Sequence, residues 1–492
     1  VLIVLAGFFL ALLLSCEMSP DFQAASPPTC SELLDSSNVA SIIAEGASQA
    51  TALSQNVTLA VVDREGNILG LFEMVGSTGT ADESIGKART AAYLSSNQHA
   101  FTTLTACYIT RPHFPPDVAN TPGGPLYGVP FSSLPGGDIQ PNPGPLSGMP
   151  GGVPLFKGEC LVGGVGVSGG NTEFNLNSCS GVSTDEAIAL GASIDYSVPA
   201  DREGDNIFID GIRFLFTNTS TPARATPVPL TGTFLVPIAP PFPAPSFPTE
   251  GVVMLGGGFD FPIVGGSLLT VADVQQIIDQ AADQAARTRA AIRRPIGTPA
   301  QVFISVVDVD GSVLGIWRTP DATLFSFDVS AQKARTALAF SDPGNIDFGQ
   351  RLRMILGQPV SAQLAVTTRA VGFLAQDFYP PGIDMDSLGN PLVPGPLWEG
   401  PEFAYQRRLS GDTGLPPFGN GITIFPGGIP LYKNGILAGA IGISGDGVDQ
   451  DDLIAFSGST GFDAPTAIRC DQIFYDGIRL PFVKFPRNPE LP

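Results

Sequence analysis

Histidine is nearly absent: two residues, His99 and His113, serve 492 positions. Charge is scarce as well, at 14% of residues against about a quarter in ordinary soluble domains. Lys+Arg 25 against Asp+Glu 46 gives a net charge of −21, which repels nucleic acid and anionic lipid. The six cysteines include no C-x-x-C pair of the zinc or redox kind. No nucleophile elbow marks a strand-to-helix turn, although Gly166-Val167-Ser168-Gly169-Gly170 carries the Gly-x-Ser-x-Gly letters. With two histidines to draw on, Ser-His-Asp hydrolysis has little material, and the sequence argues against an enzyme. The apolar run Val1 to Leu14 is shorter than the roughly 20 residues of a membrane span.

Glycine and proline are plentiful, 58 and 46 residues, and they separate apolar stretches that repeat. Val57-Thr58-Leu59-Ala60-Val61-Val62-Asp63 returns as Val302-Phe303-Ile304-Ser305-Val306-Val307-Asp308. Lys87-Ala88-Arg89-Thr90-Ala91 returns as Lys333-Ala334-Arg335-Thr336-Ala337. Pro150-Gly151-Gly152-Val153-Pro154 returns as Pro426-Gly427-Gly428-Ile429-Pro430, and Ile207-Phe208-Ile209-Asp210-Gly211 as Ile473-Phe474-Tyr475-Asp476-Gly477. Colinear blocks so far apart mean a duplicated domain, not a short-period solenoid. The expected plan is α+β: two tandem homologous domains, each an antiparallel sheet with packed helices and long Pro/Gly-rich loops. Copy one spans 31–216 and copy two 266–485. A leader precedes them at 1–30, a Pro-rich linker joins them at 217–265, and a tail follows at 486–492.

Local signals place the elements. Val39, Ile42, Ile43, Ala47 and Ala50 form one helical stripe, matched by Val274, Ile277, Ile278, Ala282 and Ala285 behind the N-cap pair Thr270 and Asp273. Arg64-Glu65-Gly66-Asn67 and Val309-Asp310-Gly311-Ser312 read as hairpin turns. Asp308-Val309-Asp310-Gly311 is therefore a turn rather than a calcium loop. A second helix carries Lys87 and Arg89, or Lys333 and Arg335, which are expected to pair with carboxylates or cap the sheet edge. Long excursions follow, from about Arg111 to Met149 and from Tyr379 to Phe425; loops of this length are usually functional or interfacial.

In order and content these blocks resemble the GlcG/HbpS haem-degrading-like family. The resemblance covers both copies apart from the excursions, the linker and the ends. It implies an antiparallel sheet with helices packed on it, self-association, and in some members haem binding.

Haem needs an axial ligand, and His113 and His99 are the histidine candidates. Neither has a histidine counterpart in copy two, where Phe378 matches His113. Calcium has more material: Asp384, Asp386, Asp446 and Asp449 occupy loops that suit hard oxygen ligation. Asp451 and Asp452 open the last helix, where carboxylates stabilise the dipole without a metal. Cys160 and Cys179 flank an insertion from Asn171 to Thr184 that copy two lacks, and a disulfide between them is expected. Leu13-Leu14-Ser15-Cys16 looks like a lipobox with Cys16 as the acylated residue. Export to the cell envelope or beyond follows from that segment, with membrane anchoring through the N-terminus as one option. The leading functional expectation is a non-enzymatic protein that associates with itself into a ring, filament or tube. The alternative is a periplasmic or surface module binding haem or another small molecule.

Overall fold

The computed structural model describes residues 26–128, 138–142, 144, 146–398 and 419–484. The segment holding Cys16 and the tail at 486–492 lie outside the described residues. Each copy is built on a five-stranded antiparallel sheet. In copy one, β1 (Thr58–Asp63) and β2 (Ile68–Met74) form the expected hairpin, and β3 (Gly152–Lys157) and β4 (Cys160–Ser168) a second. Helix α1 (Ser36–Ala52) precedes them, and α2 (Ala81–Tyr93) and α3 (Thr103–Ile109) lie between the hairpins. Helix α4 (Thr184–Ala192) and the short hairpin β5 (Phe208–Ile209) and β6 (Ile212–Arg213) close the copy.

The linker is more than a spacer. Its strands β7 (Gly232–Val236) and β8 (Gly251–Val252) complete the two sheets, β7 as the edge of the order β3-β4-β1-β2-β7 and β8 as the matching edge of the copy-two sheet. Copy two repeats the plan with α5 (Val271–Arg287), β9 (Phe303–Val307), β10 (Val313–Arg318), α6 (Phe325–Ser341) and an added short helix α7 (Arg351–Ile355). It continues through α8 (Thr368–Leu374), β11 (Gly428–Lys433), β12 (Ile436–Ser444) and α9 (Val448–Gly458). The hairpin β13 (Phe474–Tyr475) and β14 (Ile478–Arg479) ends it. Helix α1 with α4, and α5 with α9, cover one face of each sheet, while α2 or α6 covers the other.

The local signals translate directly. Thr270 and Asp273 form the N-terminal capping box of α5, and the stripe of α1 is fully buried. In α5 the buried stripe passes through Ala281 rather than Ala282, which is only partly covered. The Gly-Gly pair before β3 and β11 answers two constraints. Gly151 and Gly427 sit at φ of 116° and 112°, a region that disfavours side chains. A Cβ on Gly152 would lie 2.3 Å from Lys87 O, and one on Gly428 2.3 Å from Lys333 O. The strand thus starts in van der Waals contact with helix backbone.

The disulfides differ from expectation: Cys30 pairs with Cys160, and Cys107 with Cys179. Cys160 begins the nine-residue β4 and the insertion leaves from its far end, roughly 25 Å away at ~3.3 Å per residue. A bridge holds its two Cα atoms within about 7 Å, so the Cys160–Cys179 pairing has no route. Cys470 is a buried free thiol.

Part of the core is shared between the copies, while the side of copy one under α1 and α4 forms a buried cluster of its own. Leu94, Phe101, Ile109 and Tyr127 of copy one belong to the same buried cluster as Phe327, Val371 and Ile424 of copy two. Gly428→Ala and Gly152→Ala are expected to cost about 1–3 kcal/mol each through forced overpacking. Chemical denaturation of the two variants beside the parent measures this.

Candidate functional site

Each copy buries a lysine beneath its Gly-Gly turn. In copy two the Lys333 Nζ donates to Ile443 O and to Asp451 Oδ2, both at 2.7 Å. In copy one Lys87 donates to Val167 O and Asp185 Oδ2, both at 2.9 Å, with Glu83 3.0 Å away. The expected carboxylate pairing is therefore present twice. Burial pushes Asp451 up to about 7 while Lys333 pulls the other way, and burial also draws the Lys333 ammonium down against Asp451. Asp452 is held by Arg369 and accepts from Gly427 N at 2.8 Å. The two aspartates at the start of α9 thus act on specific cations as well as on the helix end.

Between the copies opens a cleft of about 1330 Å³. Its apolar walls include Phe114, Tyr127 and Phe208 from copy one and Phe373, Ile424 and Val483 from copy two. Arg289, Arg294, Arg369 and Lys484 line it against two acids, Asp210 and Asp449. Arg369 and Lys484 both reach Asp449, at 2.6 and 2.7 Å. The floor is fixed by Arg293, which is 1% exposed. Its guanidinium binds Asp446 at 3.0 Å, Ser96 Oγ of copy one at 2.8 Å and Gly445 O at 2.9 Å. Asp321 adds an ion pair at 3.4 Å and itself receives Asn97 N of copy one at 3.0 Å.

The histidines stand apart from this cleft. His99 is wholly buried beside a narrow crevice of about 70 Å³. Its Nδ1 is 2.9 Å from Ser96 Oγ and its Nε2 3.0 Å from Leu94 O. Burial and the Arg293 charge lower its pKa well below the usual value. His113 Nε2 lies 2.9 Å from Asp384 Oδ2, and the ring packs on Phe378, its positional counterpart.

The four calcium candidates do not converge. Asp384 serves His113 and Asn120 N, Asp386 closes a turn on Asn390, Asp446 serves Arg293, and Asp449 serves Arg369 and Lys484. Among the described residues no group of three His, Cys, Asp or Glu side chains is placed to hold a metal ion. Cations of the chain already neutralise Asp446 and Asp449, so the expected calcium loop is a set of ion pairs instead.

Sequence reasoning missed Arg293, Arg294, Arg369 and Lys484. Arg293 and Arg294 sit in a segment between α5 and β9 that copy one lacks, and Arg369 occupies the position of Leu104. For Arg369 the available signal was a basic residue in one copy opposite an apolar one in the other.

A family model described as haem degrading protein HbpS-like matches residues 34–177 and 269–459. The corrinoid adenosyltransferases PduO of Salmonella typhimurium and Citrobacter freundii are each 27% identical over 168 residues. That stretch is 34% of this chain and 34% of each relative, so the match spans about a third of their length. Similar solved structures include Klebsiella pneumoniae protein ORFY at 23% identity, covering 40% of this chain and 91% of that one with TM-score 0.24. A PduOC:haem complex is 23% identical, covering 41% and 99% with TM-score 0.24. A double mutant of Streptomyces reticuli HbpS is 16% identical, covering 46% and 99% with TM-score 0.22.

The Asp451 carboxyl gives a pH signature. Its value rises from the usual 3.8 to about 7 in the fold, so between those values the folded chain holds a proton that the unfolded chain has released. Stability therefore falls as pH rises from about 4 to about 7. Asp451→Asn is expected to flatten that slope, read as denaturation midpoints at pH 5 and pH 7.

Proposed function

The chain belongs to the HbpS-like family, and on that premise we propose that it is a non-enzymatic ligand-binding protein whose site is the cleft between its copies. The carrying observation is electrostatic. A chain of net charge −21 gathers four cationic side chains against two carboxylates around its large cleft, a local excess of positive charge. Low-dielectric walls focus such a field, so the fitting ligand is a flat, apolar small molecule with acidic groups at its edge. Haem, named in the family's description, is a macrocycle of this kind with propionate carboxylates at its edge, whereas the corrinoid in the curated relatives' name is edged mainly by amides.

The lining residues suit the body and the carboxylates of such a macrocycle. The described lining contains no histidine, so the grip falls to apolar contact and to Arg294 and Lys484. The two disulfides support export into an oxidising compartment. Self-association is a second reading, favoured by β7, which ends its sheet with Phe234 and Leu235 exposed.

Haem titration followed by absorbance tests the main reading. Saturable binding is expected, weakened about tenfold by Arg294→Ala or Lys484→Ala as a charge-assisted contact is lost. His113→Ala should leave it unchanged. No saturable binding, or binding lost with His113 and indifferent to both cations, would sink the proposal. Sedimentation velocity tests the second reading: a monomer at all concentrations rules out assembly through β7.

A further inference from the structure

The copies differ where the cleft opens. Paired contacts fix their correspondence: Gly152 N donates to Thr103 Oγ1 at 3.0 Å, and Gly428 N to Thr368 Oγ1 at 2.8 Å. Thr102 Oγ1 donates to Phe216 O, and Thr367 Oγ1 to Phe482 O. Asn218 N reaches Glu186 at 3.0 Å, and Lys484 N reaches Asp452 at 3.2 Å. On this register the cleft residues Arg369, Gly372, Phe373, Pro481 and Lys484 correspond to Leu104, Cys107, Tyr108, Leu215 and Asn218.

In copy one those counterparts are covered. The chain between Gly169 and Asp185 is longer than that between Gly445 and Asp451, and the extra residues lie over α3. Cys179 bonds to Cys107, at the position of Gly372. Phe174, Tyr108 and Leu215 pack on the buried cluster of Leu104, Cys107 and Cys179. Arg111 donates to Leu176 O at 3.3 Å, and Asn218 Nδ2 to Cys179 O and Gly181 O at 3.2 Å. Leu104 is 0% exposed, whereas the Arg369 side chain at the matching place keeps 16%. A piece of the chain covers in copy one the place that copy two leaves open as cleft.

We propose that residues 171–183 are a resident occupant of the copy-one counterpart of the cleft, held by the Cys107–Cys179 disulfide, and that freeing them uncovers a second binding site on each chain. This rests on reading the copy-two cleft as a ligand site. The second site takes a largely apolar molecule, because Leu104 and Asn218 replace Arg369 and Lys484 and the buried Glu186 lies beside Asn218, while Arg111 stands there as a cation in the place of Gln376.

The test uses the uncharged dye Nile red, with haem as the probe of copy two. In one variant a short Gly-Ser linker replaces 171–183 together with Cys107→Ser. In another, Cys107→Ser and Cys179→Ser free the segment in the otherwise intact chain. Each is expected to gain about one Nile red per chain over the parent, as for one added apolar pocket, with haem stoichiometry unchanged. In the cysteine variant the 171–183 amides should exchange about tenfold faster. A folded shortened variant that gains no Nile red overturns the proposal. If the shortened chain does not fold, the cysteine variant decides: exchange that stays slow, or quickens with no dye gained, overturns it equally. A parent that fails to bind haem counts only against the copy-two reading, since Nile red reports the other site.

Discussion

A buried amine organises each half of this molecule. Lys333 on α6 ties the last residues of β12 to the first turn of α9, and the carboxylate it holds lies under the Gly-Gly turn. Helix, strand end, terminal helix and turn meet at that nitrogen. Burying an ammonium and a carboxylate costs several kcal/mol of solvation for each, and only close geometry with extra acceptors offsets it. The carbonyl of Ile443 is that extra acceptor, as Val167 is for Lys87. Larger residues at Gly427 or Gly428 would separate the partners. The Lys-Ala-Arg-Thr-Ala and Pro-Gly-Gly blocks are therefore one device, split in sequence and joined in space.

Joining the halves falls to different chemistry. Arg293 reaches out of copy two to Ser96, and Arg64 of copy one reaches back to Asp321 at 3.1 Å. The first excursion crosses over too: Asp138 holds the copy-two Arg335, at 2.8 and 2.6 Å, and Tyr127 donates to Asp377 at 2.6 Å. The linker adds a third tie. Glu65 accepts from Ser246 and Phe247 N, while Arg318 lies over the Phe247 ring and donates to Pro248 O. Arg318 is buried, and that burial draws its guanidinium down to about 9.

Much of the fold was legible because its signals are local. The stripe of α1, the Thr270 capping box and the turns at Gly66 and Gly311 each depend on a few neighbouring residues and on allowed backbone angles. The α+β plan and its duplication followed from the same blocks. The cysteine pairing was not legible, since Cys30 meets Cys160 only once β3 and β4 have folded against the leader of α1. Strands β7 and β8 were hidden for a related reason: β7 is short and mostly exposed inside a Pro-rich stretch, the two-residue β8 has no period at all, and the identity of each comes from the edge it joins. The cleft was least legible, because its cations come from α8, from a one-copy insertion and from the last described residues. The histidines and loop aspartates that stood out by type are instead absorbed by partners of their own.

The strands that the linker gives to both sheets have a consequence for how the cleft behaves. When two separate subunits form a site, dilution below their dissociation constant dismantles it. Here both walls belong to one chain, and each is stitched to the linker through β7 or β8. The effective concentration of one wall at the other is set by a short tether rather than by abundance, a regime of about millimolar or above for short connections. Gene fusion has thereby made the site's integrity independent of how many copies of the protein are present. A scarce, highly diluted chain keeps its cleft assembled.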